Sequence, residues 1–424
     1  MPTGYSPTYF ASSVLPDGRV IVSGGEYIAG QVAYSNRTLV FDPLTDVWTE
    51  VPPPNMPGWD RIGDASAVVL ANNKFMLSSA VNDKTVLLDA KSLTWTATGT
   101  NKNGSHNEAN WTTLPDDTIY SIDCAENINN AEIYDPATGA WSAAATPPVA
   151  LVDPTSREIG PGVLRADGSV IVFGGNGHNV VYHHATKSYA SAPDFPFAAN
   201  GQFDVADGTA ALLPNGNVLV LASPGVFEAP TLAYEWDGVA LNTINQPSNA
   251  ASSTSYQYNT MLLPTGEILV TSQSGTIEIY TPAPGITENA IPVITAVPRP
   301  ITDADPDPFI PVGPPSFTGV LPAMTLNLGR HYKLLGTQLH GISHGAYYGD
   351  DAQSFTNYPL VQFTNTATGH VSYARTYDFS TMSIKPGVAS TTKFEIPTTI
   401  ERGVSKMVVI ANGIASPPMV VNLK

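Results

Sequence analysis

One unit of about fifty residues recurs six times along this chain, and that recurrence restricts the fold more than any other feature. Its first copy runs from Ser6 to Pro53. An apolar strand leads into Leu15-Pro16-Asp17-Gly18, and a second strand, Arg19 to Ser23, ends at Gly24-Gly25. A third strand closes on Phe41-Asp42-Pro43, and a fourth carries Trp48. Later copies place turn residues at Ala71-Asn72-Asn73, Pro115-Asp116-Asp117, Ala166-Asp167-Gly168, Pro214-Asn215-Gly216 and Pro264-Thr265-Gly266. Asn, Asp and Gly tolerate positive φ, so each of these predicts a two-residue β-hairpin loop.

The Gly24-Gly25 position becomes Ser78-Ser79, Asp123-Cys124, Gly174-Gly175, Ala222-Ser223 and Ser272-Gln273. Small residues there predict close approach of neighbouring backbones. Trp48, Trp95, Trp141 and Tyr189 follow one another at intervals of 46 to 48 residues, and each is expected to pack between adjacent sheets. Four short strands per repeat is the spacing of a β-propeller. The predicted fold is all-β, with six visible blades and room for a seventh. The sixth repeat, ending near Tyr280-Thr281-Pro282, shows three strands and lacks an aromatic fourth. Either a segment from the other terminus completes the ring or blade six is short.

A proline-rich stretch, Ile291 to Pro315, reads as a linker or an edge segment, because proline cannot donate to a central ladder. About seven short alternating strands follow, which suits an immunoglobulin-like sandwich. The expected division is a propeller over 1–290, a linker over 291–318 and a sandwich over 319–424. Composition agrees: 35 Gly and 37 Pro are scattered through 424 residues, and no long amphipathic helical pattern occurs.

The formal charge of −17 argues against nucleic-acid and anionic-membrane partners. No apolar run is long enough for a transmembrane helix and no leader is legible. The low charge content points to a secreted protein. One cysteine, Cys124, excludes an intrachain disulfide and reads as a packing residue.

Inner strands of a propeller start at one mouth of the central channel, where loops from every blade converge. Counting back from each hairpin gives Tyr9, Asp64, Glu108, Ile159, Asp207 and Gln257; a one-residue bulge would substitute Glu158 for Ile159. Asp64, Glu108, Glu158 and Asp207 are therefore candidate catalytic residues, as an acid–base pair of the kind used in glycoside hydrolysis. Asp64, Glu108 and Asp207 are also candidate ligands for Ca²⁺. The alternative is that each carboxylate accepts backbone N–H groups of the next blade. His340 and His344 lie four apart, a zinc spacing on a helix, but Gly341 and Gly345 indicate a loop.

The paired small residues and spaced aromatic resemble the kelch repeat. Together with the C-terminal domain, Leu15 to Gly25 and Tyr134 to Trp141 resemble the galactose oxidase and glyoxal oxidase family of copper-radical enzymes. The resemblance implies a copper held by two tyrosines and two histidines, one tyrosine being crosslinked to a cysteine. Here Asn259 follows Tyr258 where the family has histidine, and Tyr377 stands at the other histidine position. No inner-strand cysteine is present, since Cys124 ends a second strand. Copper is accordingly not expected, and a loop carrying Tyr377 is expected to cap the acidic mouth. With Tyr9, Tyr256, Tyr258, Asn259, Tyr377 and His344 as ligand-binding candidates, the leading functional expectation is a carbohydrate-directed protein, binding glycans or cleaving them as a hydrolase or lyase. A non-catalytic binding or adhesion module and a divergent oxidoreductase are the alternatives.

Overall fold

A computed structural model describes residues 1–424 apart from 101–103, 105, 108, 125–129, 226, 302–323 and 349–356. The described residues form β-strands, turns and three single-turn 3-10 segments, with no α-helix.

The six repeats become six antiparallel sheets arranged in chain order. Blade 1 is Ala11–Val14, Val20–Ser23, Thr38–Asp42 and Val47–Val51, paired in that order. Blades 2 to 4 repeat the four-stranded pattern, with inner strands Ala67–Val69, Asn110–Thr113 and Gly162–Leu164. Blade 5 starts at Thr209–Leu212 and blade 6 at Tyr258–Leu262. Blade 6 has three strands and, among the described residues, no fourth.

All six inner hairpins share one geometry, and it differs from the expected two-residue loop. In blade 1 the Gly18 N–H donates to the Leu15 carbonyl and the Leu15 N–H donates to Arg19. The loop is thus three residues, Pro16-Asp17-Gly18, a type I turn closed by a left-handed residue. The same pair of bonds recurs at Leu70/Lys74, Leu114/Thr118, Arg165/Ser169, Leu213/Asn217 and Leu263/Glu267. The left-handed position is Gly18, Asn73, Asp117, Gly168, Gly216 or Gly266, with φ between 67° and 88°. The longer loop needs one such residue instead of two, so proline and alanine are accepted at its first position.

The small pair works as expected. A Cβ on Gly24 would meet the Gly63 carbonyl oxygen at 2.2 Å, and one on Gly175 would meet that of Glu158 at 2.5 Å. The fourth-strand aromatics reach back to the preceding blade. The Trp95 indole donates to the Pro52 carbonyl at 2.9 Å, that of Trp141 to Thr85 Oγ1 at 3.3 Å, and the Tyr189 hydroxyl to the Ala145 carbonyl at 2.9 Å.

The C-terminal strands form a path of eight hydrogen-bonded neighbours, with Ile414–Ala415 pairing outside it. Val371–Tyr377 bridges two layers: its first part pairs with Leu360–Asn365 and its end with Ala389–Glu395. Leu334 and Phe394 from one layer share a core with Val361, Phe363, Met407 and Val409 from the other. Of the two readings of the proline-rich stretch, the edge segment holds for Val293–Pro300, which is a strand of this domain and not part of a linker. It occupies the end of the path beside His331–Thr337, where prolines are tolerated, and its register shifts between Ile294 and Ala296 and between Ala296 and Arg299.

This domain docks on the hairpin end of the propeller. The Asn73 amide donates to the Phe379 carbonyl at 2.8 Å, and the Ser383 hydroxyl donates to Asp117 at 2.6 Å. Arg375 reaches the Gly18 carbonyl at 3.0 Å. One of its segments goes further. Ala346–Tyr348 pairs antiparallel with Thr209–Leu212, forming a fifth strand on the channel side of blade 5.

Candidate functional site

The inserted strand determines what remains of the channel. It climbs from the Leu212 end of the blade 5 inner strand, where Gly345 accepts a bond from the Leu212 N–H, to Thr209 beside Tyr348. On its way His344 Nε2 meets Thr113 Oγ1 at 3.0 Å, and the Tyr348 hydroxyl donates to the Thr260 carbonyl at 3.1 Å. The insert therefore touches blades 3, 5 and 6 from inside. The site that remains is the rim at the strand starts, opposite the docked domain.

The histidines lie in a loop, as the glycines indicate: Gly341 has φ 65° and Gly345 φ 95°. His340 and His344 are buried, and burial lowers both pKa values to about 3, so both are neutral near pH 7. The ring of His340 packs 4.0 Å from that of Phe379, and neither of its nitrogens has a hydrogen-bond partner among the described residues. His344 lies inside the protein and not at the rim.

The rim carboxylates fall into two groups. On the blade 1–2 side, Asp64 lies close enough to Tyr27 to raise its phenol pKa, although Glu26 is the larger cause. Tyr9 stands edge-on to Tyr27 with ring centroids 6.0 Å apart. On the blade 4–5 side, the Asp207 N–H donates to the Ile159 carbonyl at 3.3 Å. Ile159 is fully buried in the core, whereas Glu158 is half-buried, so Glu158 is the residue presented at the rim. Asp64, Glu158 and Asp207 each keep one carboxylate oxygen out of solvent. Glu108 lies outside the described residues.

Counting back from the hairpins did not reach several rim residues. Asp204 is one: burial pushes its carboxyl up to about 7, and nearby Asp153 adds to the rise. It accepts the Ala206 N–H at 3.1 Å, and its backbone pairs with Ser223. Tyr27, Glu26 and Phe227 are others. Phe227 is 72% exposed and stands edge-on to Tyr256 at 5.8 Å. Asp204 sits before an inner strand, while Glu26, Tyr27 and Phe227 follow the second strands of blades 1 and 5, so a count back from the hairpins does not reach them. A solvent-facing phenylalanine was the one available signal.

Three candidates are not brought to the rim as expected. Tyr258 is buried, its hydroxyl donating to Asn249 at 2.9 Å. Asn259 is exposed on the side of blade 6, because alternation along Tyr258–Leu262 turns it away from its neighbours. Tyr377 does not cap the mouth. Its hydroxyl meets His331 Nδ1 at 2.6 Å within the C-terminal domain, and its neighbour Arg375 contacts the hairpin end. The segment that enters the channel comes instead from residues 338–348. Cys124 is buried, as a packing residue should be.

Comparison with known proteins adds three findings. A kelch-motif model matches residues 7–55, the first repeat. No curated protein matches the chain. The solved structure of a fungal alcohol oxidase of the AA5 family, in complex with copper, superposes with a TM-score of 0.51 over 100% of this chain and 99% of its own, at 12% identity. The first repeat is a kelch motif, and the fold is similar to that of the fungal oxidase structure. At that identity the likeness concerns the fold and not the chemistry.

The residues present do not fit copper. Asn259 is turned to solvent, Tyr377 is held within the C-terminal domain, and no three of His, Cys, Asp and Glu gather to hold a metal among the described residues. The Ca²⁺ candidates cannot be assembled here, because Glu108 lies outside the described residues. Among the described residues, no helix is long and apolar enough to cross a membrane.

Proposed function

We propose that the rim of this propeller binds a carbohydrate, with Glu158 and Asp207 as the hydroxyl-binding carboxylates and acid–base pair. The observation that supports this reading is the Asp207 N–H bond to the Ile159 carbonyl at 3.3 Å, which joins the starts of blades 4 and 5. Carboxylates accept hydrogen bonds from sugar hydroxyls, and aromatic faces take the apolar faces of sugar rings. Tyr9 and Tyr27 on one side and Phe227 and Tyr256 on the other supply aromatic surface. The inserted strand lines the channel beneath, so the ligand is expected to lie across the rim.

Catalysis would use Glu158 as general acid or base with Asp207 as its counterpart, in cleavage of a glycosidic bond. Asp204, titrating near neutrality beside them, offers a further proton-holding carboxyl. The copper-dependent alcohol oxidation of the similar fungal structure is not carried over, because its metal has no matching donor set here.

The test is a glycan array followed by long incubation of any bound glycan with product analysis. Glu158→Gln and Asp207→Asn should each weaken binding at least tenfold, and the double variant should abolish turnover. Unchanged binding in both variants would overturn the reading. Binding lost with no product from the native protein would reduce it to a binding module.

A further inference from the structure

In blades 2, 3 and 4 the aromatic residue of the fourth strand reaches the preceding blade. Trp95 donates to the Pro52 carbonyl at 2.9 Å, Trp141 to Thr85 Oγ1 at 3.3 Å and Tyr189 to the Ala145 carbonyl at 2.9 Å. Each ring packs on the core shared by its two blades, and so closes the outer end of that core.

Between blades 5 and 6 no such ring is present among the described residues. A cleft of about 620 Å³ lies there instead. Its walls include Leu219, Leu221 and Ala233 of blade 5 and Val270 and Tyr280 of blade 6, all from the core these two blades share. Asn245 also lines it, two residues beyond the last strand of blade 5, as Ala145 lies two beyond that of blade 3. In the repeat Tyr280 corresponds to Tyr134 and Tyr182, which pair across from Trp141 and Tyr189. The seat for a ring is present, and the strand that would carry the ring is not.

The pairing edge for that strand is open. The Ser272 N–H donates to the Thr276 carbonyl at 3.0 Å, so bonded pairs alternate from there through Val270/Glu278 and Ile268/Tyr280. The N–H and C=O groups of Ile277 and Ile279 therefore face outward, and no strand pairs with them among the described residues. The N-terminal strand Pro7–Thr8 pairs with Tyr27–Ile28 instead. Ile277 and Ile279 are 70% and 50% exposed. An unpaired apolar edge beside an open core is a template for strand addition.

We propose that blade 6 binds an extended segment of a partner polypeptide, one that carries a tryptophan or tyrosine between apolar residues. The segment adds antiparallel to Ile277–Tyr280 as a fourth strand. Its ring enters the cleft opposite Tyr280, and its alternate residues lie beside Ile277 and Ile279. Main-chain bonds hold the segment and the ring selects it. The three filled seats in the same ring define this occupant. A second copy pairing through the same edge would present Ile277–Tyr280 again, whose Tyr280 hydroxyl already donates to Glu235, and would leave the cleft unfilled. The site lies apart from the rim and does not rest on the reading given for it.

The test is fluorescence anisotropy of the full chain with a labelled peptide copying residues 45–52, the fourth-strand sequence around Trp48. That peptide should bind about tenfold more tightly than its Trp48→Ala form, with the Trp48→Tyr form retaining most of the affinity. In the protein, Ile279→Pro removes an outward N–H and leaves the existing ladder bonded, and Ile277→Lys sets a charge on the edge. Each should weaken peptide binding several-fold with a thermal melt close to that of the native chain, and Glu158→Gln should leave binding unchanged. Equal binding of the Trp and Ala peptides, no binding at millimolar concentration, or affinity unchanged in both edge variants would overturn the proposal. So would a dimer of the native chain in sedimentation that Ile277→Lys dissolves.

Discussion

Blades 5 and 6 are neighbours built from the same repeat, and they are the most and least enclosed sheets of the ring. The first two strands of blade 5, Thr209–Leu212 and Val218–Ala222, are buried at every residue. The inserted Ala346–Tyr348 covers the inner edge, and a fourth strand, Leu241–Thr243, covers the outer. Blade 6 alternates buried and exposed along Tyr258–Leu262, and its last strand leaves Ile277 and Ile279 70% and 50% exposed. Cross-strand register aligns Met261 with Leu269 and Leu269 with Ile279, so the exposed positions form one face. The repeat dictates a blade's hairpins and strand alternation, while its enclosure depends on residues distant in sequence. The candidate carboxylates Glu158 and Asp207 lie on the enclosed side, where a rigid support holds them.

Substitutions should separate the two regions, beginning with the largest fully buried side chain. Trp236 in blade 5 is 1% exposed, with the Arg165 guanidinium 4.7 Å over its ring. Trp236→Ala should cost about 3–5 kcal/mol in urea unfolding. A loss below about 1 kcal/mol would mean blade 5 is not packed as described.

Glycines sharpen the contrast. A Cβ at Gly160 would meet backbone oxygens of Phe173 at 2.5 Å and Val205 at 2.8 Å, whereas Gly275 in blade 6 has open space around it. Gly160→Ala should cost about 2–3 kcal/mol from overpacking. Gly275→Ala should cost about 1 kcal/mol, from its positive φ alone. Equal losses in thermal melts would break the comparison.

The pH dependence of stability should trace to blade 5. The folded pKa of Asp204, about 7, lies above the ordinary carboxyl value. The folded state therefore holds a proton that the unfolded state has released, and stability falls as pH rises from about 4 through 7. Asp204→Asn should flatten that decline in urea midpoints measured from pH 4 to 8. An unchanged slope would assign it elsewhere. The smallest effect is expected at the open face, where Ile277→Ala should shift stability by no more than about 0.5 kcal/mol.

Much of this contrast was legible before the structure. The turn residues at Gly18, Asn73, Asp117, Gly168, Gly216 and Gly266 mark hairpins because only a few residue types adopt positive φ readily, and all six do so. The loop length was misread, since the same residues serve a longer loop needing one left-handed position. The missing aromatic fourth strand of blade 6 was visible as an absence. The insert was not legible. Ala211 pairs with Ala346 across 135 residues, and neither residue carries a local sign of its partner. The same gap explains Tyr377: its position along the chain suggested a channel loop, while its strand pairing holds it in the outer domain. At the strand starts, counting gave Asp64, Ile159 and Asp207, and Glu158 entered only as the neighbour of Ile159. Asp204 and Phe227 were not reached, because the one precedes the inner strand of blade 5 and the other lies in the connection after its second strand.

Amide hydrogen exchange with and without a saturating glycan identified on the array tests the central claim most directly. Protection is predicted at residues 153–160 and 204–209, at the starts of blades 4 and 5, with none added at 268–280 in blade 6. Protection confined to blade 6, or absent from both blade starts, would contradict the account.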